Sequence, residues 1–140
     1  CWALDVDALL LSPDCADVYN PKTVRSSMGG VINYPVFPNI DLLQLKELKA
    51  HNYELISTDI SRGHEYYNHD FSRKTILVIG SEAQGVSDGV KEICTDYIKI
   101  PMNSSVDSLN AACACAIIIA EARKQRFGSF ISTSSFANGT

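Results

Sequence analysis

The sequence predicts an α/β fold built on a mostly parallel sheet. Three observations carry the prediction. Short apolar, β-rich runs alternate with segments of helical spacing, and no internal repeat or low-complexity tract interrupts them. Thr75 to Gly80 (Thr-Ile-Leu-Val-Ile-Gly) is a continuous apolar run, as expected of a central parallel strand covered on both faces. Ala111 to Ala122 is apolar almost all round a helix and is flanked by Asn110 and by Arg123, Lys124 and Arg126. It predicts a deeply buried helix, since a membrane span needs roughly 18 to 20 uninterrupted apolar residues and this run breaks at Glu121.

The elements follow in order. Asp7 to Leu11 is a short strand ended by the turn residues Ser12-Pro13-Asp14. Asn20 caps a short helix, Pro21 to Met28, with proline at its first position, and Gly29-Gly30 closes it. Val31 to Phe37 is β-rich, with Pro35 favouring a sheet edge or a strand end. Asn39 is positioned to cap a helix whose apolar stripe is Ile40, Leu43, Leu45 and Leu48 and which ends near His51-Asn52. Tyr53 to Ser57 is a second strand and Ser61 to Ser72 a polar loop. After Thr75 to Gly80 come a short helix, Ser87 to Cys94, and a final strand, Tyr97 to Ile100, stopped by Pro101. A long helix then runs from about Ser105 to Arg126, and the Ser-, Thr-, Gly- and Asn-rich residues after Phe127 read as a frayed tail.

At 140 residues the chain has one domain's length, read as a domain at 1–127 and a flexible tail at 128–140. Apolar residues make up 46% and charged residues 20%, ordinary for a globular protein. The formal charge of −4 argues against non-specific coating of nucleic acid, while leaving room for a local basic patch. Two clusters are candidates for such a patch: Arg62, His64, His69, Arg73 and Lys74, and Arg123, Lys124 and Arg126. Cations suit a helix carboxyl end whatever the function, and both clusters weigh toward ordinary solvated surface. Five cysteines (Cys1, Cys15, Cys94, Cys113, Cys115) lack C-x-x-C spacing, and Cys113 and Cys115 fall on different faces of a helix. Thiols in a reducing compartment are expected, and a metal is not. No basic segment followed by an apolar one is visible at the start, so an intracellular location, cytoplasmic or mitochondrial, is expected, with no membrane partner.

In parallel α/β sheets ligands bind beyond the carboxyl ends of the strands, which directs attention to two segments. Gly80-Ser81-Glu82-Ala83-Gln84-Gly85 follows one strand. Gly80 admits close approach of a ligand or another backbone, Gly85 allows a positive-φ turn, and Glu82 is placed to face a crevice. The spacing is neither a P-loop, because no Lys-Ser or Lys-Thr follows the second glycine, nor the G-x-G-x-x-G dinucleotide fingerprint. Taken alone, it is an ordinary loop. The second segment is more specific. Ile100-Pro101-Met102 leaves a strand, Asn103 to Asp107 form a polar loop, and Ser108 and Asn110 are polar at the start of an apolar helix. Buried polar groups need partners, so both either cap the helix or read a ligand. Capping suits Ser104, Ser105 or Asp107 better than Asn110 inside the helix.

Leu77-Val78-Ile79-Gly80-Ser81-Glu82-Ala83-Gln84-Gly85-Val86 resembles the second motif of the SpoU methyltransferases. Ile100-Pro101-Met102 through Ser108-Leu109-Asn110-Ala111, running into an alanine-rich helix that ends Glu121-Ala122-Arg123, resembles the third. Ser12-Pro13 and Asn20 to Gly29 resemble the stretch that follows the first motif, so the likeness covers the chain to about Arg126. It implies a SPOUT-type α/β fold, a mostly parallel sheet with helices on both faces and a C-terminal trefoil knot, which the pattern alone would not suggest. It further implies S-adenosyl-L-methionine as cofactor, methyl transfer to the 2′-hydroxyl of a ribose in tRNA or rRNA, and a homodimer with the active site near the interface. By the same likeness Gly80, Ile100 and Leu109 line the cofactor pocket, with Ile79 and Met102 as neighbours. Glu82, Ser108 and Asn110 then belong to the catalytic constellation, holding the hydroxyl in line with the sulfonium methyl and offering a partner for its proton.

The family's first motif carries an Asn and an Arg upstream of the Ser-Pro loop, and Cys1-Trp2-Ala3-Leu4 matches only the end of that helix. The Arg is regarded as acting on the ribose hydroxyl, and Arg25 belongs to a different motif. The expectation is an N-terminally truncated catalytic domain of low activity by itself. The alternative is a non-catalytic RNA-binding or dimerisation module of the same fold. A Rossmann-type oxidoreductase is disfavoured by the missing fingerprint.

Overall fold

The computed structural model describes residues 1–81, 84–106 and 108–128, which divide into two compact units, Cys1–Asn52 and the residues from Tyr53 onward. Residues 129–140, most of the expected tail, lie outside the described residues.

In the first unit, β1 (Leu9–Leu10) pairs in parallel with β2 (Val36–Phe37), and hydrogen bonds from Leu9 to Pro35 and from Leu11 to Phe37, both 2.9 Å, extend the ladder. Pro35 stands where only its carbonyl is needed, so its missing N–H costs nothing. Helix α1 (Pro21–Ser26) is capped as expected, with the Asn20 side chain accepting from the Lys22 amide at 2.9 Å. The strand expected over Val31 to Phe37 is shorter. Met28 and Gly29 adopt positive φ, and Gly30–Asn33 form one turn of helix, α2, which the Asn33 side chain ties back to the Gly29 carbonyl at 3.0 Å. Local turn closure overrides the β preference of Val31 and Ile32.

Helix α3 (Leu42–Ala50) starts later than expected, because Asn39 itself sits at positive φ and Asp41 is the cap. Asp41 and Gln44 form a reciprocal capping box, each side chain accepting from the other's amide at 2.9 Å. The later start turns Leu42, Leu45 and Leu48 inward and leaves Leu43, an expected stripe residue, 68% exposed.

The second unit holds a four-stranded, wholly parallel sheet in the order β4 (His64–Glu65), β6 (Asp96–Lys99), β3 (Glu54–Thr58), β5 (Thr75–Val78). β3 is the central element, with Leu55 and Ile56 fully buried. β5, expected to be central, pairs only with β3 within this sheet, and all four of its residues keep partial exposure. An apolar run without alternation does not reveal which side lacks a neighbour. β4 lies inside the expected loop Ser61 to Ser72, which also contains a 3-10 turn, Tyr66–Asn68. Its polar residues hide it from any periodicity count.

After α4 (Asp88–Ile93), helix α5 (Ala111–Phe127) lays Ile118 onto Ile56, Phe71 and Ile98, and Tyr66, Leu77, Ile100 and Ala122 pack around this core. The expected deep burial of α5 is not found: Ile118 alone among its residues is fully buried, and Ala112, Cys113, Ala116, Ile117 and Ala120 face out. The last turns of α5 pin the polar loop beside β5. Gln125 accepts from the Phe71 amide at 2.9 Å and donates to the His69 carbonyl at 3.0 Å, while Arg126 donates to the carbonyls of Phe71 and Arg73. Among the described residues, no helix is long and apolar enough to cross a membrane.

Candidate functional site

Because all four strands of the second unit are parallel, the loops leaving their carboxyl ends gather at one end of the sheet. β3 lies between β5 and β6, so the loops after β5 and β6 depart on either side of it, about 10 Å apart at the usual strand spacing. These are the two segments the sequence singled out.

The loop after β5 closes on itself. Ser81 and Gly85 exchange backbone hydrogen bonds of 3.2 and 2.9 Å, the Ser81 hydroxyl accepts from the Gln84 amide at 3.1 Å, and Gly85 takes φ +67°. A Cβ on Gly80 would lie 2.4 Å from the Gly85 carbonyl carbon and 2.6 Å from the Val86 nitrogen. The close approach that demands glycine here is therefore that of the loop's own backbone. Ile79 and Gly80 are half-buried, and Glu82 lies outside the described residues.

In the loop after β6, Ile100 packs against the core and Met102 is half-buried. Asn103 makes a local turn, its side chain accepting from the Ser105 amide at 2.9 Å. Helix α5 begins at Ala111 rather than near Ser105, and Asn110 is its N-cap, accepting from the amides of Ala112 at 2.9 Å and Cys113 at 3.3 Å. The residue read as a polar intruder within the helix is thus the one that starts it. Six of the eight residues from 103 to 110 are Asn, Ser or Asp, types whose side chains compete for local backbone partners and disfavour an earlier start. Ser108 and Leu109 stand exposed just before the cap.

The loop after β3 was missed. Asp59 accepts from the Ser61 hydroxyl at 2.6 Å and the Ser61 amide at 2.9 Å, and pairs with Arg62 at 2.9 Å. The Ser61 hydroxyl, joined by Arg62, holds the Asp59 carboxyl far below the ordinary carboxylate range against the opposing effect of burial. Arg62 also lies over the Tyr97 ring, 4.4 Å from its centroid. Gly63 is forced, since a Cβ there would stand 2.5 Å from the Ile98 carbonyl carbon. An aspartate ending a strand with serine two positions on is the signal that was available for this turn.

Most of the cations in the two clusters are already paired. Arg62 pairs with Asp59, Arg73 with Glu54 at 2.8 Å, and His64 and His69 both face Asp96. Lys124 pairs with Glu121 at 3.2 Å, and Arg126 is committed to backbone carbonyls.

Comparison with known proteins gives a consistent result. The SpoU rRNA Methylase family profile matches residues 1–120. A 23S rRNA (uridine(2479)-2′-O)-methyltransferase from Streptomyces viridochromogenes is 35% identical over 130 residues, covering 89% of this chain and 45% of that protein. The crystal structure of the SpoU methyltransferase AviRb from the same organism, in complex with AdoMet, superposes with a TM-score of 0.84 at 33% identity, over 90% of this chain and 52% of the other. An AdoMet-bound rRNA methyltransferase from Sinorhizobium meliloti gives a TM-score of 0.81 at 25% identity, over 87% and 47%. The chain spans about half the length of the curated relatives it matches.

Proposed function

Because the chain belongs to the SpoU rRNA methylase family, we propose that it forms the cofactor-binding and catalytic part of an RNA methyltransferase that modifies the 2′-hydroxyl of a ribose in tRNA or rRNA. The observation that carries this reading is the pair of loops departing the sheet on either side of β3, one a closed glycine turn, the other ending in the exposed Ser108-Leu109 pair before the Asn110 cap.

The residues present fit S-adenosyl-L-methionine. Ile79, Ile100, Met102 and Leu109 are apolar and keep partial exposure at the carboxyl ends of β5 and β6, and a Cβ on Gly85 would meet nothing within 4 Å, which leaves room beside the turn. When bound, the cofactor supplies an electrophilic methyl group on a sulfonium sulfur. The apolar residues shield the adenosine from water, and the Ser108 hydroxyl is available to hold the ribose at near-attack distance. Asn110 fixes the direction in which α5 leaves the loop and so sets where Ser108 stands. Glu82 is assigned as the partner for the hydroxyl proton from the family likeness alone. A trefoil knot in the loops after β5 and β6 belongs to the same proposal.

Methyl transfer from tritiated S-adenosylmethionine to tRNA and rRNA transcripts, measured on the product of the whole reading frame, tests it. Label is expected on ribose 2′-oxygens. Asn110→Asp keeps a capping oxygen, whereas Asn110→Ala loses the cap and about 1 kcal/mol of stability. Both are expected to reduce transfer at least tenfold if the amide also meets substrate. Label on a base overturns the ribose assignment, and no transfer by folded, cofactor-bound protein favours the non-catalytic module instead.

The same proposal includes a homodimer. The outward face of α5, with Ala112, Cys113, Ala116, Ile117 and Ala120, is an apolar stripe that a second copy would cover. Analytical ultracentrifugation at micromolar concentration is expected to give twice the 15.3 kDa chain mass. A monomer across that range removes the dimer from the proposal.

A further inference from the structure

At the other end of the same sheet, where β3, β4 and β6 begin, Glu54, His64, His69 and Asp96 line a pocket of about 330 Å³ together with Arg73. None of them takes part in the chemistry above. His69 follows the 3-10 turn Tyr66–Asn68 and is wedged edge-on against Phe71, with ring centroids 4.7 Å apart and only 8% of its side chain exposed. Its Nδ1 lies 3.0 Å from Asp96 Oδ2. Its Nε2 is buried without a hydrogen-bond partner, 4.0 Å from Glu54 Oε2.

This placement is unfavourable for a neutral imidazole in either tautomer. With the proton on Nδ1, the Nε2 lone pair faces the Glu54 carboxylate. With the proton on Nε2, the Nδ1 lone pair faces Asp96. One ring nitrogen opposes a carboxylate oxygen in both cases, and Nε2 is itself buried from water. A cation on Nδ1 resolves the conflict, whether a second ring proton or a metal ion shared with Asp96, and a further donor beside Asp96 favours the metal ion. It takes the lone pair and the carboxylate together, and leaves Nε2–H to donate toward Glu54, the arrangement in which metal-bound histidines are commonly held. Glu54 is oriented for that role by Arg73, which occupies its other oxygen at 2.8 Å.

A third donor stands nearby. His64 Nδ1 lies 3.5 Å from Asp96 Oδ1, and one ligand atom from each of His64, His69 and Asp96 can be chosen within 4.8 Å of one another. Bonds of about 2.0–2.1 Å at tetrahedral angles put neighbouring ligands about 3.3 Å apart. The 3.0 Å separation to Asp96 Oδ2 and the 3.5 Å separation to Oδ1 lie on either side of that value, and a small inward swing of the half-exposed His64 brings the three donors onto one ion. Two imidazoles and one carboxylate select a zinc-class ion over calcium or magnesium, which prefer oxygen donors.

We propose that His64, His69 and Asp96 bind a divalent transition-metal ion at the amino-terminal end of the sheet, with Glu54 as the positioning residue for His69. The ion joins the short edge strand β4 to β6 and does not depend on the methyl-transfer reading.

The test uses untagged protein stripped with a chelator and titrated with Co²⁺ at pH 7.5. One equivalent is expected to bind with visible d–d absorption, to be displaced by Zn²⁺, and to raise the melting temperature. His64→Ala, at a half-exposed position that folding does not need, and Asp96→Asn are each expected to weaken binding at least tenfold. Glu54→Gln is expected to weaken it about tenfold with the Co²⁺ spectrum preserved, because the ligands remain. His51→Ala, in the other unit, leaves stoichiometry and affinity unchanged. The proposal is overturned if the unsubstituted protein shows no saturable Co²⁺ binding, or if His64→Ala and His69→Gln bind as tightly as the parent.

Discussion

Gly80→Val is expected to abolish measurable binding of S-adenosylhomocysteine while leaving the protein folded. The new Cβ would stand 2.4 to 2.7 Å from the backbone of Gly85 and Val86, with no flexible side chain to move aside. Either the sheet or the loop must yield. The loop is closed by two backbone hydrogen bonds and one from Gln84 to the Ser81 hydroxyl, each worth about 1 kcal/mol net. β5, by contrast, is held in register along its whole length by β3. The loop therefore opens, at an overpacking cost of about 1–3 kcal/mol, and the turn that shapes the proposed pocket is lost with it. Calorimetric titration with S-adenosylhomocysteine, beside a thermal melt, separates the two effects. Unchanged affinity in a folded variant removes this loop from the cofactor site.

Ile98→Ala has the largest expected effect on stability, a loss of about 2–5 kcal/mol in urea unfolding. Ile98 is fully buried in β6 and sits in the cluster with Ile56, Phe71 and Ile118. Its neighbours come from two strands, a loop and α5, so the site cannot collapse around a smaller side chain without shifting several elements together. Leu43→Ala, at a residue 68% exposed, is the matched control and is expected to change stability by less than about 0.5 kcal/mol. A comparable loss in both variants contradicts the assignment of the core.

The sequence was most readable where side-chain chemistry acts locally. Asn20 before Pro21 and the positive-φ turn at Gly85 both depend on near neighbours, and each appears at its expected place. Where expectation failed, the deciding interaction came from farther along the chain or from a competing local turn. Asn39 and Asp41 are both good caps, and only the Gln44 return bond selects the second. β4 is a two-residue strand of His and Glu, specified by pairing with Ile98 and Lys99 across more than thirty positions of sequence, about the distance at which local patterns stop informing. At the candidate site the glycine spacing after β5 and the polar start of α5 were both visible. That Asn110 is a cap, and that Asp59 organises a third loop, depended on where the elements end, the least reliable feature of any periodic pattern. The histidine pocket was invisible for a different reason. His64 and His69 looked like surface cations, and only folding sets both against Asp96.

The grip of Gln125 and Arg126 on the loop at His69 to Arg73 has a consequence for biosynthesis. Those bonds join residues 53 to 56 positions apart, and the strand and loop emerge from the ribosome well before the helix that clasps them. While the intervening chain is being made, the Phe71 amide and the carbonyls of His69 and Phe71 have water as their partner. The loop that carries His69 therefore settles only after α5 has been translated and docked. A nascent chain stalled before Gln125 is expected to expose this stretch to protease, and one extended past Phe127 and clear of the exit tunnel to protect it.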